Sequence, residues 1–185
     1  MHGGGDETSL TIPDVKLIRL KKFRDERGTF CELYREPAIA GIKFVQDNLA
    51  VSTHAGTIRG LHYQEPPYAQ TKLFTVIAGA IFDVAVDLRR GSPHFGRWVA
   101  AEFSAEDPCQ LLIPRGFAHG YCTLEPDTVV LYKVDAHYSA AHDRGIVWND
   151  ATLGITWPVA PEAAILSEKD RQLPTFAAID TPFSL

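Results

Sequence analysis

From Val15 onward, short apolar runs alternate with Gly, Pro, Asp or Asn. The breaks fall at intervals of roughly 8 to 12 residues, the spacing of an all-β sandwich or barrel. β-Branched and aromatic residues fill the runs, predicting strands over Val15–Leu20, Thr29–Leu33, Phe44–Ser52, Thr57–Tyr63, Lys72–Ala78, Ala80–Leu88, Arg97–Phe103, Cys109–Ile113, Ala118–Leu124 and Thr128–Val134. Ala78-Gly79-Ala80 predicts a tight hairpin in which Gly79 supplies a positive φ. In the strand that follows, Phe82, Val84, Val86 and Leu88 face one way and Asp83, Ala85 and Asp87 the other, so one face is acidic. Nothing shows a long helical period, and only Pro37–Gly41 and Ser167–Gln172 have room for a turn or two. After Tyr138 the pattern fades into a Pro-, Ala- and Asp-rich segment, where Trp148, Trp157 and Phe183 are the expected anchors. No repeat or linker interrupts the pattern, so a single domain is expected, with residues 1–13 as a flexible N-terminus.

Composition narrows the function classes. At 185 residues the chain can bury a core without disulfides or a structural metal. A net charge of −5 argues against nucleic acid as a partner. The three cysteines, Cys31, Cys109 and Cys122, lack any redox or metal-ligand spacing and read as free thiols of a reducing compartment. No apolar run approaches the length of a membrane span, and the first residues lack the basic and apolar regions of a signal peptide, so a cytoplasmic protein with no membrane partner is expected. His2-Gly3-Gly4-Gly5 has no accompanying Gly-x-Ser-x-Gly and carries no hydrolase signal.

The chemistry concentrates in Arg59-Gly60-Leu61-His62-Tyr63-Gln64 and in Lys72, ten residues after that histidine. Proton abstraction beside a carbonyl needs a base for the C–H proton and a fixed cation for the enolate oxygen, and His62 and Lys72 are of those types. Strict alternation puts Ile58, Gly60, His62 and Gln64 on one face and Arg59, Leu61 and Tyr63 on the other. Arg59 therefore joins His62 only from the strand end, or through a bulge at Gly60. Lys72 shares a face with Phe74 and Val76; pointing inward it needs a partner, for which Asp83 is a candidate, and pointing outward it is solvated. Tyr132, on a face with Thr128, Val130 and Val134, either enters a pocket as a proton donor or belongs to the core.

Pro114-Arg115-Gly116-Phe117-Ala118-His119 has the Pro-x-Gly-x-x-His form of the second cupin motif, which implies a double-stranded β-helix. Metal-binding cupins join that histidine to a His-x-His pair. Here the position two after His62 is Gln64, a poor ligand for late transition metals, so a cupin working without metal is expected.

With these pieces assembled, the chain from Ile12 to Pro174 resembles the dTDP-4-dehydrorhamnose 3,5-epimerase family. The resemblance is carried by Asp25-Glu26-Arg27-Gly28-Thr29-Phe30, Phe44-Val45-Gln46-Asp47-Asn48, Arg59 to Gln64, Gln70-Thr71-Lys72-Leu73, Phe82 to Asp87, Ser92-Pro93-His94-Phe95-Gly96, Ile113 to Gly120, Leu131-Tyr132-Lys133, Trp148-Asn149-Asp150 and Leu166 to Asp170. It implies an all-β cupin jelly roll with short helical turns and an irregular C-terminal segment, acting without cofactor as a homodimer. The implied reaction inverts C3, C5 or both in a dTDP-4-keto-6-deoxyhexose. His62 matches the base, Asp170 the carboxylate that orients it, Tyr132 the acid on the opposite face and Lys72 the residue beside the enolate oxygen. Arg59 and His119 match further active-site positions; Arg24, Phe30, Glu32, Gln46 and Asn48 match the nucleotide site, some reaching the partner subunit. Asp83, the candidate partner of Lys72 on the acidic face, is expected beside them among the substrate-binding residues.

Two positions depart from the family: Ala50, where serine is common, and the stiffer, more aromatic Glu65-Pro66-Pro67-Tyr68. Both bear on sugar choice and on which carbon is inverted. The competing readings are a single-carbon epimerase, a ketoisomerase, a non-catalytic sugar-nucleotide-binding cupin and a metal-dependent oxygenase.

Overall fold

The computed structural model describes residues 6–36, 39 and 41–185. Its strands are β1 (Asp6–Ser9), β2 (Lys16–Arg19), β3 (Lys22–Asp25), β4 (Gly28–Cys31), β5 (Gln46–Ser52), β6 (Ile58–Gln64), β7 (Lys72–Ala78), β8 (Ala80–Asp87), β9 (Trp98–Ser104), β10 (Cys109–Ile113), β11 (Phe117–Thr123), β12 (Thr128–Val134) and β13 (Asp143–Gly145). They form a six-stranded sheet in the order β1-β2-β10-β7-β12-β5, a five-stranded sheet in the order β13-β6-β11-β8-β9, and the separate hairpin β3-β4. The strand pairs are antiparallel, as a jelly roll requires.

Burial explains why the strands read as they do. Between the sheets lies a core of Phe74, Val76, Ile81, Ala85, Val99, Leu111, Ile113, Tyr121 and Val130. The outer face of the five-stranded sheet is covered in turn by the C-terminal segment: Ile58, Leu61, Tyr63, Val84, Val86 and Cys122 pack against Trp148, Trp157 and Phe183. A sheet buried on both faces needs apolar residues at every position rather than at alternate ones, and every residue of β11 is buried. The three anchors do what was expected of them, and the segment is further tied by Trp157 Nε1 donating to the Trp148 carbonyl at 2.8 Å and Trp98 Nε1 to that of Leu153 at 2.9 Å.

Several expectations need correction. The stretch through Pro13 was expected to be flexible, yet β1 pairs with β2 and Ile12 is 2% exposed; only residues 1–5, with His2-Gly3-Gly4-Gly5, lie outside the described ones. β3 and β13 were not anticipated because neither carries an apolar stripe: β3 is exposed along its length and β13 has three residues. The turn expected at Pro37–Gly41 falls mostly outside the described residues. Ser167–Gln172 does hold a helical turn, α1 (Glu168–Arg171), capped by the Ser167 hydroxyl accepting from Asp170 N at 3.1 Å. No helix among the described residues is long and apolar enough to cross a membrane.

Candidate active site

The site occupies the space between the two sheets, and each wall supplies one kind of group. His62 comes from β6 of the five-stranded sheet, whereas Lys72 and Tyr132 come from β7 and β12 of the six-stranded one. All three line a cavity of about 490 Å³, together with Arg59, His119, Phe74 and Asp170. They also line an adjoining recess of about 250 Å³ that Gln46 and Asn48 reach from β5.

Arg59 and His62 share the cavity because β6 carries an extra residue. In the β6–β11 register His62 opposes His119, yet Arg59 opposes Tyr121, so three steps on one strand match two on the other. That bulge resets the side-chain phase, the second of the two routes open from the sequence. Gly60 permits it: with φ +125°, a Cβ there would lie 2.5 Å from Gly120 Cα and 2.7 Å from the His119 carbonyl.

His62 Nε2 lies 2.7 Å from Asp170 Oδ1, and the Gly60 amide donates to Asp170 Oδ2 at 3.3 Å. Burial alone would raise the Asp170 pKa, but His62, Gly60 and Ser167 together hold it below the usual carboxylate range. Asp170 therefore stays anionic and fixes the orientation of the imidazole beside it. The two residues are 108 apart in sequence, and the cap on α1 is what turns the carboxylate toward β6.

On the opposite wall Lys72 Nζ donates to the His62 carbonyl at 3.3 Å. Burial pushes the ammonium down to about 8, against the pull of Asp143 and Asp83. It is thus an inward-pointing lysine kept charged at neutral pH by two carboxylates. The Tyr132 ring stacks on Phe74 with centroids 4.5 Å apart and planes within 7°, and burial raises its phenol while Arg59 opposes the shift.

His119 donates to or accepts from Asp83 at 2.7 Å through Nε2, and burial lowers the imidazole pKa and raises that of the carboxyl. Asp83 was expected among the substrate-binding residues; it is instead fully buried behind His119 and does not line the cavity. Gln64, the position that breaks the metal motif, spends its amide on the Tyr68 and His137 carbonyls and on the Ser139 amide. Arg24 and Phe30 line a different cleft of about 330 Å³ on the β3–β4 hairpin, and Glu32 pairs with Arg35 beside it. The expected nucleotide residues are thus split, with Gln46 and Asn48 in the recess that adjoins the cavity and the other three away from both.

Sequence reasoning passed over Tyr121, Tyr138 and Asp143. Tyr121 lines the cavity, and its alternation with His119 on β11 was a usable signal. Asp143 accepts the Tyr138 hydroxyl at 3.1 Å and pairs with Lys169; it sits on the three-residue β13, where no periodicity announces it.

An imidazole–carboxylate pair facing a phenol and an ammonium across a cavity in a double-stranded β-helix defines a cupin-type isomerase equipped to move protons beside a carbonyl. A family model described as dTDP-4-dehydrorhamnose 3,5-epimerase matches residues 9–178. The chain belongs to the dTDP-4-dehydrorhamnose 3,5-epimerase family. It is 51% identical over 179 residues to the enzyme of that name from Sinorhizobium fredii, covering 95% of this chain and 91% of that one. A crystal structure of the Bacillus anthracis enzyme with TDP and PPi bound superposes with a TM-score of 0.88 at 50% identity, over 92% of this chain and 98% of that one. The dTDP-6-deoxy-D-glucose-3,5-epimerase of Legionella pneumophila, in complex with dTDP-4-keto-L-rhamnose, gives 0.89 at 39% identity, over 95% and 94%.

Proposed function

We propose that this chain converts dTDP-4-dehydro-6-deoxyglucose to dTDP-4-dehydrorhamnose by inverting C3 and C5, a step of deoxysugar biosynthesis. His62 takes the proton from a carbon beside the C4 ketone, and the C–H electrons pass into an enolate whose oxygen Lys72 stabilises. Tyr132 then protonates the same carbon from the opposite face, the ketone re-forms, and the phenolate and imidazolium exchange their protons with water. Inversion needs two groups on two faces, since one group returning its own proton mostly regenerates the substrate. The observation that carries this reading is that His62 and Tyr132 enter one cavity from opposite sheets. Each positioned acid or base contributes on the order of 10²- to 10⁴-fold.

The active form in this reading is a cytoplasmic homodimer, in keeping with three unbridged thiols. The β3–β4 hairpin, with Phe30 68% exposed, carries Arg24, Phe30 and Glu32 to the nucleotide in the partner subunit's site. Sedimentation at micromolar concentration is expected to show a dimer.

The deciding experiment is incubation with dTDP-4-keto-6-deoxyglucose in heavy water, with NMR reading which ring carbons take up deuterium. Uptake at C3 and C5 is expected, and uptake at one of them alone identifies a single-carbon epimerase. His62→Ala should abolish uptake, while Tyr132→Phe retains part of it at one carbon. No uptake by the wild type, or near-normal turnover by His62→Ala, refutes the reading.

A further inference from the structure

Tyr121 lies on β11 two residues beyond His119, opposite Arg59 of β6. Its ring packs edge-on against Phe74 at 5.9 Å, and its side chain lines the cavity. The residue is 3% exposed, and its hydroxyl, beside that of Ser52, makes no well-formed hydrogen bond. The nearby Ser52 hydroxyl accepts instead from Arg59 Nε at 3.3 Å. Ala50, on β5 of the other sheet, lines the same cavity and presents only a methyl group.

Buried hydroxyls are almost always paired, and one left without a good partner, on a residue that lines a cavity, marks a place where the occupant completes the bond. The neighbouring group is the Arg59 guanidinium, whose Nη2 is spent on the Val51 carbonyl at 3.0 Å. A cation alongside favours an electron-rich oxygen as that occupant. We propose that Tyr121 is a substrate-contacting residue whose hydroxyl donates a hydrogen bond to an oxygen of the bound nucleotide sugar on the Arg59 side of the cavity. The proposal rests on the dTDP-sugar reading of this cavity and adds a contact that shapes its specificity. The oxygen belongs either to the sugar or to the diphosphate.

Tyr121→Phe removes the hydroxyl and keeps the ring packing. Because that hydroxyl has only a poorly formed contact with Ser52 to lose, the thermal midpoint of the ligand-free variant should stay close to that of the wild type. A sugar oxygen as acceptor predicts a KM for dTDP-4-keto-6-deoxyglucose raised about 3- to 10-fold, a smaller change in kcat, and an unaltered Kd for dTDP. A charged phosphate oxygen predicts that dTDP itself binds about 10- to 100-fold more weakly. Either result supports the contact. A variant that equals the wild type in KM and in dTDP affinity overturns it, as does one whose ligand-free midpoint and kcat fall while KM holds, because that marks a structural role. A wild-type protein that neither binds dTDP nor turns the sugar nucleotide over refutes the reading of the cavity itself.

Discussion

Asp170→Asn tests the site at its most specific point, since it keeps the side chain's shape and removes its charge. In the native protein Asp170 Oδ1 is 2.7 Å from His62 Nε2, with the carboxylate side chain 5% exposed. If His62 accepts a substrate proton as proposed, that contact becomes a charge-assisted hydrogen bond, worth about 1.5–3 kcal/mol. Counted as two unit charges about 4 Å apart at an effective dielectric near 20, the interaction is about 4 kcal/mol. At 1.36 kcal/mol per decade, these values bracket a fall in kcat of about 10- to 1000-fold.

The asparagine keeps an oxygen for the Gly60 amide, and the backbone amide at position 170 still donates to Ser167. The fold and KM should therefore change little. Single-turnover deuterium exchange, followed by NMR alongside the thermal midpoint, separates the chemical step from stability. A kcat within about threefold of the wild type, in a protein of unchanged midpoint, would show that the imidazole does not depend on the carboxylate.

The role proposed for Lys72 implies a pH limit. With its ammonium pushed down to about 8, kcat/KM should fall about tenfold per pH unit above that value. A profile flat to pH 10 in the wild type would remove Lys72 from the enolate. The same shift has a sign for stability: between about 8 and 10.5 the unfolded chain holds the lysine proton and the folded chain does not, so this group's contribution to stability rises with pH across that window. Gly60→Ala should destabilise by about 3 kcal/mol or more, since its Cβ would sit 2.5 Å from the Gly120 backbone at φ +125°. Urea denaturation midpoints measure the loss, and a variant as stable as the wild type would show that the bulge yields easily.

The strands that carry the core were legible from residue type alone. The bounds of β7, β10 and β12 match their sequence expectations to the residue, and Gly79 makes the hairpin between β7 and β8 with φ +75°. The reason is local: alternation and turn chemistry act over a few residues, so a window of that size contains them. The same holds for His62, Lys72 and Tyr132, each on a strand whose facing could be tested by alternation. β3 and β13 escaped because they earn their place by pairing rather than by burying an apolar stripe.

What only the tertiary structure decided is how distant segments meet. The Asp170 carboxylate reaches His62 because a capped turn packs against β6 across 108 residues. Arg59 joins the cavity because β6 gains one residue against β11, a register property of two strands and not of either alone. Asp83 lost its expected place at the cavity because His119 stands in front of it. The sequence by itself determined which side chains could act as base, acid and cation. Facing, burial and partner were decided by the packing of one sheet on the other, because those depend on interactions between segments that no local pattern records.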